Sequence, residues 1–188
     1  MNTEQIKFRS QHLYTIEDLL ALINDIQSEE LGEASHPFGI ACLRYFSNPN
    51  NTYKRYHAFM IPKKNGTGRL IYAPNPTLKY LQHYLNIIFK SIYTPSKCAM
   101  GFVEEKSVID NAQKHINKRY IYNIDLKDFF TSIPQPRVWK RLQLPPFNFQ
   151  QPVVNAIAGL CCIKLHSSAK NGRFGTQYVL PQGAPTSP

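Results

Sequence analysis

The apolar positions change period several times along the chain, and each change predicts an element. Behind Thr15-Ile16-Glu17-Asp18, the residues Ile16, Leu19, Leu20, Ile23 and Ile26 recur at three- and four-residue intervals. A Thr at the entry with an acid three positions later is a capping box, with Asp18 standing where Glu or Gln is usual. It predicts an acidic amphipathic helix that ends near Gly32. Ser47-Asn48-Pro49-Asn50-Asn51 is a polar loop. From Tyr53 the period becomes two: Tyr56, Ala58 and Met60 share a side, Lys63-Lys64-Asn65-Gly66-Thr67-Gly68 turns the chain, and Arg69-Leu70-Ile71-Tyr72 returns. Residues 53–73 are therefore predicted to form a β-hairpin with a basic tip. Pro74-Asn75-Pro76 breaks the strand, and Thr77 is the expected cap of a long helix buried through Leu78, Leu81, Leu85, Ile88, Phe89 and Ile92. Ser107 and Asp110 open a short helix that sets Asn111 and His115 one turn apart on a shared face. Residues 119–125 alternate as a strand leading into Asp125-Leu126-Lys127-Asp128-Phe129-Phe130. Residues 136–143 and 151–163 are predicted helical, and Lys170-Asn171-Gly172 is a hairpin turn between two more strands. No internal repeat is visible. Interleaved helices and strands give an α+β class.

Composition narrows the picture. With 188 residues, 43% hydrophobic and 18% charged, the chain can build a core and is not a disordered protein. No apolar run approaches the roughly 18 residues of a membrane span, and the first residues lack the apolar stretch of a secretory signal. Cys42, Cys98, Cys161 and Cys162 show no CxxC spacing, so they are expected to be reduced, mostly buried thiols in a cytoplasmic protein. Charge is more informative. Residues 1–33 hold seven carboxylates against Lys7 and Arg9, a net of −5, whereas residues 34–188 hold 20 bases and five acids, a net of +15. The stretches 34–103 and 129–188 contain no carboxylate. A basic body with 11 Tyr and 11 Phe suits a polyanion that also offers bases for stacking.

Three places could carry chemistry. Asp125 is a carboxylate at the end of an expected strand, followed by a turn rich in backbone N–H groups. Hard Mg²⁺ takes one or two such carboxylates together with substrate phosphates; taken alone, an Asp of this kind is more often a cap for the next turn. Lys63, Lys64 and Arg69 surround two glycines at the hairpin tip, so flexible cations can close over phosphates, although the Walker spacing is absent. A lone tip of this composition is more often a solvated turn. In Leu180-Pro181-Gln182-Gly183-Ala184-Pro185-Thr186-Ser187-Pro188, Gly183 permits close backbone approach, the prolines stiffen the segment, and Gln182 offers an uncharged amide to a sugar or base.

Together these blocks carry a resemblance. IPKKNGTGRLIYAP with the following LKYLQ, then GFVEEKSVIDNAQKH, NIDLKDFF and LPQGAPTSP, occur here in the order found in bacterial reverse transcriptases, most closely those of the retron type. The NAxxH pattern at Asn111, Ala112 and His115 resembles a retron hallmark. The likeness runs from about Tyr53 to Pro188, and the first 50 residues carry no nameable motif.

The resemblance implies an RNA-directed DNA polymerase with the fingers and an incomplete palm of a right-hand fold. Residues 1–33 would be an acidic helical extension, 34–76 and 134–181 the fingers, and 77–133 with 182–188 the partial palm. Asp125 resembles the first catalytic aspartate, which would bind two Mg²⁺ ions with help from the Leu126 carbonyl. Arg69 and one of Lys63 or Lys64 resemble the cations that grip an incoming dNTP. Backbone N–H groups near Asp128 and Phe129 would touch the same phosphates, and Phe130 resembles the steric gate against a ribose 2′-OH. Gln182 resembles the glutamine beside the nucleotide sugar and template base. Asn111 and His115 take a structural or RNA-contact role. The implied partners are a structured non-coding RNA serving as template and primer, the RNA–DNA duplex, and an effector protein in defence against phage.

One departure is plain. Two-metal polymerisation needs a second carboxylate cluster, on a YxDD hairpin, and no Asp or Glu follows Asp128. The thumb is missing too. The 188 residues are thus expected to be an amino-terminal piece of the enzyme, inactive alone. The alternatives are a group II intron or diversity-generating reverse transcriptase, and a non-catalytic RNA-binding module derived from one.

Overall fold

A computed structural model of the chain describes residues 1–51, 54–62, 66, 68–167 and 175–188, with 166 and 167 described by their backbone alone. In order, the elements are α1 (Thr3–Ser10), α2 (Ile16–Leu31), α3 (Ile40–Ser47), β1 (Tyr56–Pro62), β2 (Gly68–Pro74), α4 (Pro76–Ile92), α5 (Val108–Gln113), α6 (Gln135–Leu142), α7 (Gln151–Cys161), β3 (Ile163–Ser167) and β4 (Gly175–Val179). Helices and antiparallel strands mix, as the α+β pattern predicts.

The acidic helix forms where its signals place it. Thr15 accepts from the Asp18 amide while the Asp18 carboxylate accepts from the Thr15 amide, and Gly32 ends the helix at φ +56°. Its apolar stripe buries Leu19, Leu22, Ile23 and Ile26 in one core with Leu78, Leu81, Leu85 and Ile88 of α4 and Val153, Val154, Ile157 and Leu160 of α7. Two helices were not foreseen. Helix α1 starts from an Asn2–Gln5 capping box and contributes Ile6 to the core. Helix α3 buries Leu43 and Phe46, and its last carbonyl, that of Ser47, lies where a side chain at Gly159 of α7 would have to sit. Glycine at 159 is what lets these two helices approach so closely.

Helix α4 is capped by Asn75, not Thr77. The Asn75 side chain accepts from the Leu78 amide at 2.8 Å, and Pro76, which has no N–H to satisfy, takes the first helical position. The expected stripe is buried at Leu78, Leu81, Leu85 and Ile88, while Phe89 and Ile92 are partly covered. Helix α6 is tied to α7 by the Trp139 indole N–H, which donates to Asn155 at 2.6 Å. The expected helix over 151–163 stops at Cys161, because Ile163 already pairs with Val179 in the β3–β4 ladder.

The hairpin forms as β1–β2, with Tyr56 opposite Pro74 and Pro62 opposite Gly68. Its root is partly buried and its tip is exposed. The turn at 170–172 lies outside the described residues, but β3 and β4 flank it in antiparallel register.

The largest correction concerns residues 119–125, which form no strand. Every residue from 111 to 129 is exposed. A strand's backbone donors and acceptors and its apolar face need a neighbouring strand, and among the described residues none pairs with this segment. The thiols also need correcting: Cys161 and Cys162 are buried, but Cys42 is half-buried and Cys98 is exposed.

Candidate functional site

Two backbone hydrogen bonds bring distant motifs together. The Tyr72 amide of β2 donates to the Gln182 carbonyl at 2.9 Å, and the Leu180 amide donates to the Ile133 carbonyl at 3.1 Å. Beside the second bond, Pro134 bridges Val179 in antiparallel fashion. The Pro181-Gln182-Gly183 segment is therefore held between the hairpin and the turn that follows Asp125. Gly183 is required there. It sits at φ +112°, and an added Cβ would lie 2.8 Å from Ile71 Cγ2 and 3.3 Å from the Tyr72 carbonyl oxygen. Inside the segment, the buried Ser187 hydroxyl donates to the Pro181 carbonyl at 2.6 Å, which folds the end of the chain back on itself.

Arg69 belongs to the face of β2 that meets this segment. Side chains alternate along a strand, so Arg69 shares its side with Ile71 and lies two pairs closer to the tip. It is exposed. Lys63 and Lys64, its expected companions, lie outside the described residues. Gln182 is half-buried, with its carbonyl committed to Tyr72.

The turn after Asp125 is well defined. Asp128 takes a left-handed conformation at φ +52°. The Ser132 amide donates to the carbonyls of Asp128 and Phe129, and the Ser132 hydroxyl donates to Phe129 at 2.6 Å. This closes a 3-10 turn over Phe130–Ser132. Phe130 is half-buried against the core, and the more exposed Phe129 meets it edge to face at 5.6 Å. Asp125 and Leu126 precede the turn on the open segment, both exposed. Among the described residues, no hydrogen bond or ion pair engages the Asp125 carboxylate, and none joins it to Arg69 or Gln182. The geometry thus unites Arg69, Gln182 and the Phe130 turn on one framework and leaves Asp125 on its approach.

Asn111 and His115 do not share one helix. Helix α5 ends at Gln113, and His115 falls in the next turn with its amide donating to the Ala112 carbonyl at 3.0 Å. Both are exposed.

A buried polar cluster escaped the sequence reading. Arg55, at the root of β1, is 1% exposed and donates to the Gly159 and Cys162 carbonyls at 2.6 and 3.3 Å. Gln82 of α4 donates to the Leu160 carbonyl and to the Tyr56 hydroxyl, each at 2.8 Å. Desolvation pulls the Arg55 pKa down and pushes that of Tyr56 up, while burial raises the Cys161 thiol to about 11. The readable signal was an Arg in a stretch without carboxylates. Its actual partner, a helix end, leaves no mark at the Arg itself.

Among the described residues, no three His, Cys, Asp or Glu side chains gather as metal ligands, and no helix is long and apolar enough to cross a membrane.

Residues 61–188 match the family model described as reverse transcriptase (RNA-dependent DNA polymerase). The retron Mx65 reverse transcriptase of Myxococcus xanthus is 32% identical over 170 residues, 86% of this chain and 39% of that protein. The retron Ec86 reverse transcriptase of Escherichia coli is 33% identical over 138 residues, 71% of this chain and 38% of that one. The chain thus spans about two-fifths of the length of these relatives. The family match takes in the end of β1 and all of β2, the Asp125 turn and the Pro181-Gln182-Gly183 segment, and the chain belongs to the reverse transcriptase family, with relatives of the retron type.

Proposed function

We propose that this chain supplies the fingers and part of the palm of a retron-type RNA-directed DNA polymerase, which extends a primer on an RNA template from dNTPs. The docking of residues 180–183 carries the reading. It draws blocks 110 and 47 residues apart in sequence onto one framework through Tyr72–Gln182 and Leu180–Ile133 respectively. Residues 34–76 and 134–181 act as fingers, 77–133 and 182–188 as palm, and 1–33 as an extension whose helices share the core.

Each side chain then has a task. Arg69, with Lys63 or Lys64, neutralises the triphosphate from the hairpin, and an exposed guanidinium is suited to bidentate phosphate contact. Gln182 sits where an uncharged amide can meet the nucleotide sugar. The stiff, half-buried ring of Phe130 excludes a 2′-OH, and the N–H groups around Asp128 and Phe129 complete the phosphate cradle. The structured RNA meets the basic body, where residues 34–188 carry a net charge of +15.

Asp125 fits a metal role chemically. It is a hard oxygen donor, exposed and clear of ion pairs among the described residues, with the Leu126 carbonyl adjacent. These donors make half of a two-ion site. When bound, Mg²⁺ activates the primer hydroxyl and stabilises the departing pyrophosphate.

The test is primer extension on RNA by the complete polymerase. Asp125→Asn is expected to lower the extension rate by roughly 10³-fold or more with RNA affinity nearly unchanged. Extension at the wild-type rate would remove Asp125 from the mechanism.

A further inference from the structure

The hairpin that carries Arg69 is attached to the rest of the molecule at two levels. Midway along β2, Tyr72 is bonded to Gln182. At the root, the Arg55 carbonyl accepts from the Asn75 amide at 2.8 Å, which joins the residue before β1 to the residue after β2. The Arg55 guanidinium reaches from that root into the C-terminal end of α7. There the carbonyls of the last turn have no partner within the helix, and the negative end of the helix dipole favours a cation. Arg55 takes Gly159 and Cys162, and Gln82 takes Leu160. Together the two side chains cap α7 from outside.

This choice of anchor has a mechanical consequence. Arg55 faces no carboxylate: none occurs in 34–103 or 129–188, and none within the described residues is bonded to it. Its Nε has no partner either. Among the described residues the charge is held by the end of α7 and by the face of the Tyr56 ring, 5.6 Å from the guanidinium carbon, so the hairpin root is seated on α7. From α7 the chain runs through β3 and β4 directly into residues 180–183, which hold the middle of the hairpin. Root and midpoint are thus two points on one closed circuit, and Arg69 lies beyond both.

We propose that Arg55 is a positioning residue, which sets the hairpin on the C-terminal end of α7 and so places Arg69 over the nucleotide site beside Gln182. The proposal rests on the polymerase reading above for its substrate, though not for its geometry. Both carbonyl bonds leave one nitrogen of the Arg55 guanidinium, Nη2; Lys at 55 keeps the charge but replaces that rigid planar group with a compact ammonium on a flexible stem, so the root can shift on its seat.

Two measurements on the complete polymerase test it. In primer extension, Arg55→Lys should raise the KM for dNTP about tenfold and change kcat less than about threefold. In an Arg69→Ala background, the same change should alter KM by less than about twofold, because the group it positions is gone. A KM effect that persists without Arg69, or no KM effect, overturns the proposal. Should Arg55→Lys fail to fold, Gln82→Met removes the neighbouring cap donor and should raise KM in the same direction; an unchanged KM counts against the proposal equally. The second measurement needs no activity. Amide exchange at Tyr72 should quicken about tenfold in Arg55→Lys while that at Leu85 in α4 holds. Uniform quickening through α4, or none at Tyr72, also overturns it. If the wild-type protein does not extend a primer, the polymerase reading fails, and the exchange result still decides whether Arg55 seats the hairpin.

Discussion

The core formed by α2, α4 and α7 and the segment 119–126 are both rich in apolar residues, yet water treats them oppositely. Leu19, Leu22, Leu85 and Ile157 are fully buried, whereas Tyr120 and Tyr122 are 82% and 88% exposed, and Ile121, Ile124 and Leu126 are exposed with them. The difference lies in what each element needs. A helix satisfies its own backbone and asks only for a surface to cover one stripe. An extended segment needs a neighbour for its hydrogen bonds and a second layer for its side chains. In extended chain, Tyr120, Tyr122, Ile124 and Leu126 share one side, and Ile121, Asn123 and Asp125 the other. That pattern suits a strand that sends apolar residues into a core and presents a carboxylate on its far face. Among the described residues, no strand pairs with it.

Truncation mutants give the strongest test of this contrast. Leu85→Ala or Ile157→Ala should cost about 2–5 kcal/mol, since each leaves a cavity in a sealed core. Ile124→Ala should cost less than about 0.5 kcal/mol, because its side chain is already solvated. Chemical denaturation of the three variants reads both arms. A loss at Ile124 as large as that at Leu85 would show the segment packed in solution and erase the distinction.

The next effect falls on the joint between the hairpin and residues 180–183. Gly183→Ala should cost about 1–3 kcal/mol, as Ala at φ +112° is strained and its methyl presses on Ile71 and the Tyr72 carbonyl. Exchange at the Tyr72 amide should rise while the helical core stays protected. If stability and Tyr72 protection were both unchanged, the segment would not be seated on β2.

What the sequence revealed follows the same division. Capping boxes and helical stripes are local, so the boundaries at Thr15 and Gly32 and the burial of Leu78 to Ile88 could be read directly. The hairpin was legible because two-residue alternation and a glycine turn fix its register. The strand expected over 119–125 was misplaced because alternation reports what a segment is suited to, and a partner must supply the rest. Asn75, and not Thr77, caps α4 because a proline, which breaks a strand, is also the natural first residue after a helix cap. Arg55 and Gly159 act through contacts more than 100 residues away in sequence, which no local pattern encodes. The candidate site was named from its blocks. Their convergence through Gln182 and Ile133 is a property of the folded chain alone.

The smallest expected effect compares one device in both regions. Thr15 with Asp18, and Ser107 with Asp110, form the same capping box at the starts of α2 and α5. Hydrogen bonds to the backbone amide and hydroxyl of Thr15 hold the Asp18 pKa below its ordinary 3.8, and bonds to the Ser107 hydroxyl and amide do the same for Asp110. A carboxyl whose pKa is depressed by folding stabilises the fold above its unfolded value, and the contribution is lost as the pH falls through the folded one. Both caps should therefore be intact at neutral pH and open as the pH falls through their folded values, which lie below the ordinary 3.8. Opening should have unequal consequences. Helix α2 is also held by its buried stripe and should fray only near Thr15, whereas α5 buries nothing and should lose its protection throughout. Amide exchange followed as the pH is lowered, with Asp18→Asn and Asp110→Asn as controls that flatten each titration, reads the two helices separately. Equal loss in both would mean that packing adds nothing to α2 beyond its cap.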